Sequence, residues 1–99
     1  MNKKQHQKFN KEIDIFLKDK YIKNNDNHRY IIETSYGKLN IIKDNLYMKG
    51  SKLYSIFCRF EDVEKAKEYG GRSGKCNFHS KDCEYTINDF KSFINNIIL

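Results

Sequence analysis

Residues 53–60, Leu-Tyr-Ser-Ile-Phe-Cys-Arg-Phe, constrain the fold more than any other stretch of this chain. In an extended strand Tyr54, Ile56, Cys58 and Phe60 take one side, while Leu53, Ser55, Phe57 and Arg59 take the other. The first set is uniformly apolar or aromatic and belongs to a core. A strand with one greasy face needs neighbouring strands beside it and something to cover that face.

The rest of the chain supplies both. From Phe9 the apolar spacing is helical, with Phe9, Ile13, Phe16 and Leu17 on one side. That helix should fade before "KNNDNH", a cluster of turn formers. "RYIIETSYG" and "KLNIIKD" are rich in β-branched and aromatic residues and meet at Gly37, which predicts strand, tight turn, strand. A short strand is expected around Leu46–Lys49, a turn at Gly50-Ser51, and then the strand ending at Phe60. "EDVEKAKEYGG" changes period: Glu61, Asp62 and Glu64 favour a helix start, Val63, Ala66 and Tyr69 form a narrow stripe, and Gly70-Gly71 stop it. Lys75 to Ser80 then runs back into the sheet. In the final helix Ile87, Phe90, Phe93, Ile94, Ile97 and Ile98 recur on one face, with Thr86 as the expected N-cap.

The expected fold class is therefore α+β: a small, mostly antiparallel sheet of about four to five strands, with helices at the N-terminus, middle and C-terminus. Residues 1–7 are expected to be a disordered basic tail, and residues 8–99 a single domain. No apolar run approaches the roughly 18–20 residues of a membrane span. Three cysteines and an N-terminus without an apolar stretch behind its lysines predict reduced thiols and a cytoplasmic location.

Net charge is +6, but it is uneven. Residues 1–28 contribute +3 (seven Lys, four acids), residues 29–60 contribute +4 (six basic, two acidic) and residues 61–99 contribute −1 (six basic, seven acidic). The first two-thirds can therefore face a polyanion. Lys far outnumbers Arg, and Lys, Asn, Ile, Tyr and Phe dominate, a bias that makes any surface lysine-rich.

The stretch "GGRSGKCNFHS", residues 70–80, invites three chemical readings. A phosphate loop fails on spacing, because only three residues separate Gly70 from Gly74. Cys76 also stands where a magnesium-binding hydroxyl belongs, and the flanking elements are in the wrong order. A zinc set would draw on Cys58, Cys76, His79 and Cys83, but paired knuckles are absent, and in a strand Cys76 and His79 point to opposite faces. The alternative makes Cys58 and Cys76 small core residues and Cys83 a loop thiol. A thiol nucleophile would need Cys76 or Cys83 beside His79, or beside the more distant His28 or His6, with no recognisable framework around them. No metal, cofactor or catalytic residue is assigned, and the chain is expected not to be an enzyme.

Nucleic-acid binding is the stronger alternative. Tyr30, Tyr36, Tyr47 and Tyr54 among Lys38, Lys43, Lys49, Lys52 and Arg59 would make a stacking and phosphate-neutralising sheet face. The competing reading places half of these aromatics in the core.

"YGKLNI", then "IFCRFEDVEKAKEYGGRSGKCNFH", then a C-terminal helix resembles a group of small phage and mobile-element proteins. They share a Tyr-Gly-Lys/Arg-Leu strand, an aromatic-Arg-Phe-Glu/Asp-Asp strand end, and an Asn-Pro-x-Ser-Gly-Lys-Trp-Asn-Phe-His-like segment. The similarity covers residues 36–98 and matches Ser73, Gly74, Lys75, Asn77, Phe78 and His79. It departs at Gly71-Arg72, where Asn-Pro is expected, and at Cys76, where Trp is usual. The resemblance implies an anti-defence inhibitor of the anti-CRISPR kind, bound to a host nuclease or its ribonucleoprotein complex in a bacterial cell. The partner-binding residues expected on that basis are Lys49, Lys52, Arg59, Arg72, Lys75, Asn77 and His79. Asn77 and His79 have an equally good internal role, tying their segment to the sheet. An exposed edge strand in so small a sheet also allows a homodimer.

Overall fold

The computed structural model describes residues 3–25, 29–44, 54–69 and 75–99. Five strands form one antiparallel sheet in chain order: β1 (Tyr21–Asn25), β2 (Arg29–Thr34), β3 (Gly37–Asp44), β4 (Tyr54–Phe60) and β5 (Lys75–Ser80). Three helices join it: α1 (Lys3–Leu17), α2 (Val63–Tyr69) and α3 (Cys83–Ile97). The expected α+β class and the three helix positions hold. The expected strand at Leu46–Lys49, the turn at Gly50-Ser51 and the Gly70-Gly71 stop lie outside the described residues.

The hairpin between β2 and β3 shows how short-range chemistry sets register. Thr34 pairs with Gly37 across the turn. The Thr34 hydroxyl donates to the Gly37 carbonyl (2.7 Å) and accepts from the Tyr36 amide (3.0 Å). Gly37 sits at φ +92°, a conformation that side-chain-bearing residues rarely adopt. That register places Tyr30, Ile32, Leu39 and Ile41 on one face, where β4 adds Tyr54, Ile56, Cys58 and Phe60, all buried.

α1 and α3 cover this face. Phe9, Ile13 and Leu17, four residues apart, are buried on α1. The Phe9 ring lies 5.2 Å from that of Tyr54. On α3 Phe90 meets both Phe16 and Phe78 edge-on, at 6.0 and 5.7 Å. Each buried side chain of this kind contributes roughly 1.5–3 kcal/mol.

Four local expectations are corrected. The chain is helical from Lys3, because His6 is buried against the Tyr54 ring (5.0 Å) and Gln5 accepts a hydrogen bond from the Tyr54 hydroxyl (3.0 Å). Tertiary contact therefore orders most of the segment expected to be a disordered tail. α3 starts earlier than Thr86: the Asp82 carboxylate caps it by accepting from the Tyr85 amide (3.0 Å). Thr86 is buried inside the helix, its hydroxyl donating to the Asp82 carbonyl. Val63 is exposed and Ala66 is buried, while the side chain of Tyr69 lies outside the described ones. Finally, β1 occupies residues expected to follow the helix as a turn. Lys and Asn are poor strand formers, and the segment is extended because β2 offers a ladder to pair with.

Candidate functional site: the open sheet face

Helices cover one side of the sheet. On the other, alternation lays out rows of side chains that cross the strands. Arg29, Ile42, Phe57 and Asn77 form one row in register, and Ile31, Asn40 and Arg59 the next. Ser55 and His79 stand opposite each other beyond them. Ile31, Ile42 and Phe57 are only partly buried, while Arg29, Lys38, Arg59, Asn77 and His79 are exposed. A shallow concavity of about 270 Å³ lies here, lined by Arg29, Ile31, Asn40, Ile42, Phe57 and Arg59. The patch thus has an apolar floor and a basic, amide-bearing rim. The Asn40 amide donates to Glu61 at 3.3 Å, fixing one edge of it.

The sheet brings three of the seven expected partner-binding residues, Arg59, Asn77 and His79, onto one face; the side chain of Lys75 lies outside the described ones. Arg59 pairs in register with Lys75, and Asn77 and His79 follow along β5. The expectation for Lys49, Lys52 and Arg72 falls outside the described residues.

The aromatic platform expected for nucleic acid is dismantled. Tyr30 and Tyr54 are 3% and 2% exposed, on the helix-covered side. Tyr36 is half-buried in the turn, its ring edge-on to Phe60 at 6.1 Å. Tyr47 lies outside the described residues. Lys43 is buried as well, its ammonium 2.6 Å from Asp14 of α1. The parity of Leu39, Ile41 and Lys43 already put this lysine on the apolar side. The same rule marks Phe57 as the ring on the open face. Arg29, Ile31, Asn40 and Ile42 were missed as site residues, and their alternation was the signal.

The cysteines take other positions. Cys58 is fully buried and stands directly opposite Cys76. His79, three residues along the extended β5, faces the other way from Cys76. Among the described residues no group of three or more His, Cys, Asp and Glu is placed to hold a metal ion. Burial pushes the Cys58 thiol well above its ordinary range, and raises Cys76 and Cys83 too. At neutral pH these groups are thiols, not thiolate nucleophiles.

Those shifts set a pH dependence. The unfolded chain loses thiol protons near its ordinary value of about 8.5, while buried Cys58 holds its proton to higher pH. Stability is therefore fully present below the unfolded value and falls as pH rises above it. Denaturant midpoints measured between neutral pH and pH ~10.5 should decline, at up to about 1.4 kcal/mol per pH unit for each such group. Cys58→Ala, although less stable at pH 7, should show a shallower decline. An equal slope in both proteins would contradict this assignment.

No helix among the described residues is long and apolar enough to cross a membrane. Comparison with protein-family models, with curated proteins and with solved structures finds no match to this chain.

Proposed function

We propose that this chain is a non-enzymatic inhibitor encoded by a phage or other mobile element, which docks its open sheet face on a host defence nuclease complex. One observation carries the reading. A sheet with one face sealed by two helices leaves the other with an apolar floor of Ile31, Ile42 and Phe57, rimmed by Arg29 and Arg59. Such a surface suits a partner that brings apolar contact at the centre and carboxylates or phosphates around it. Guanidinium groups recognise both through paired hydrogen bonds, and the complementary charge speeds encounter. The resemblance of residues 36–98 to mobile-element proteins points the same way, and its matching positions Lys75, Asn77 and His79 lie on β5, at the border of this patch.

The test uses the purified chain as bait in lysates of bacteria carrying CRISPR or other defence nucleases, followed by cleavage assays on the captured complex. The wild-type chain is expected to retain a nuclease and slow its cleavage. Arg59→Glu, at an exposed site, is expected to weaken capture by about tenfold or more while leaving the melting curve unchanged. Unimpaired cleavage, or an Arg59→Glu protein as potent as wild type, overturns the proposal. The second reading, single-stranded DNA or RNA binding, rests on Phe57 beside Arg29 and Arg59, a ring and two planar cations suited to stacked bases. A salt-dependent shift of short oligonucleotides, lost in Arg59→Glu, would move the face to that function.

A further inference from the structure

We propose that β5 is a dimerisation edge, at which a second copy of this chain adds its own β5 in antiparallel register about Asn77. The two edges of the sheet are built differently. Along β1 the pairing slips between Tyr21 and Lys23, a bulge of the kind that blunts an edge. Beyond β1 the C-terminal residues close the rim of β2, with Ser35 donating to the Ile97 carbonyl (2.8 Å) and Leu99 to the Glu33 carbonyl (3.4 Å). Among the described residues β5 has neither device. Its register with β4 is unbroken, and Cys76 to Ser80 carry no formal charge.

Backbone alternation decides which groups of β5 are already used. The Glu61 amide donates to the Lys38 carbonyl at 2.9 Å, which makes Lys38 and Glu61 a hydrogen-bonded pair. Two steps on, Asn40–Arg59 and Ile42–Phe57 are the same kind of pair. Tyr54, Ile56 and Cys58 must then turn their amides and carbonyls toward β5, where they meet Ser80, Phe78 and Cys76. Lys75, Asn77 and His79 therefore aim their N–H and C=O groups outward, off the edge. Among the described residues, no backbone hydrogen bond reaches these three from beyond β4.

A second β5 satisfies all three. With a two-fold axis at Asn77, Asn77 pairs with its own copy and Lys75 with His79, each exchanging two backbone hydrogen bonds. An axis at Phe78 would leave Lys75 without a partner strand residue opposite. At the axis itself two uncharged Asn77 side chains meet, so the register sets no like charges against each other there. The covered side fits as well. A groove of about 440 Å³ runs beside β5 against α3, lined by Cys76, Phe78, Asp89, Ser92, Phe93 and Asn96. The pairing sets Phe78 of each copy, a half-exposed ring, opposite Cys76 of the other, at the lining of that groove. The two-fold keeps both open faces on one side of a continuous sheet. This proposal stands on edge geometry and does not depend on the inhibitor reading.

Sedimentation equilibrium tests it. Wild type is expected to move from 11.9 kDa toward twice that mass as concentration rises through about 100 µM. Asn77→Pro removes an outward N–H that the intrachain ladder does not use, which an edge strand tolerates. Asn77→Lys sets two like charges against each other at the axis, from an exposed site. Both variants should remain monomers with wild-type circular dichroism. If Asn77→Pro fails to fold, Asn77→Lys decides alone. A wild type that stays monomeric, or an Asn77→Lys protein that dimerises equally well, overturns the proposal.

Discussion

Phe90→Ala is expected to cost about 3–5 kcal/mol of folding free energy, the range for emptying a buried aromatic site. Phe90 is fully buried on α3 and is the one ring touching both Phe16 of α1 and Phe78 of β5 among the described aromatic pairs. Its removal opens a cavity where helix layer and sheet meet, so three elements lose packing together. Domains of this size hold only about 5–15 kcal/mol in total. The melting temperature should fall on the order of 15–30 °C, since each kcal/mol is worth about 4–8 °C in a domain near this length. Phe90→Leu should recover most of the loss, because it refills much of the volume. A drop of under about 1 kcal/mol for the alanine variant would show that the core is not organised around this ring.

The second large effect is an asymmetry between the two sides of one ion pair. Lys43 reaches Asp14 from the covered face of the sheet, its side chain 5% exposed against 45% for the aspartate. The Tyr30 hydroxyl donates to the same carboxylate oxygen. Asp14→Ala removes the acceptor of both and leaves an ammonium buried beside a phenol. We expect a loss of about 2–3 kcal/mol, below the range for fully buried pairs because Asp14 faces water on one side. Lys43→Met removes the charge instead and keeps the length and apolar contacts of the side chain, so it should cost under about 1 kcal/mol. Chemical denaturation of the two variants checks the difference, and equal losses would refute the burial argument. Burial, reinforced by Asp14, also raises the Tyr30 hydroxyl far above its ordinary range. Tyr30→Phe should therefore remove part of the stability lost at alkaline pH, since the unfolded phenol ionises first.

The same cluster shows where reading along the chain reached its limit. The faces of β4 were legible, because alternation over Tyr54 to Phe60 is a local property of extended backbone. So was the run of Ile87, Phe90, Phe93, Ile94 and Ile97 in α3, and the return of Lys75 to Ser80 into the sheet. Lys43 was legible too, by its parity with Leu39 and Ile41, but the pull of its charge set it on the wrong face. Its burial depends on Asp14, 29 residues earlier on another element. β1 was not legible in its own residues, since the partner strand supplies the reason for it to be extended.

For the candidate site the division is similar. Alternation alone places Arg59 with Phe57, and Asn77 with His79, on common sides of their strands. It does not say that β4 and β5 are neighbours, nor that both helices pack on the side of Cys58 and Phe78. Only antiparallel pairing in the observed register sets Phe57 against Asn77 and Arg59 against Lys75. Periodicity determines which residues share a face; long-range packing decides which face is sealed and which is left exposed. A helix buries whichever face completes the densest apolar contact, and that choice is a property of all the elements at once.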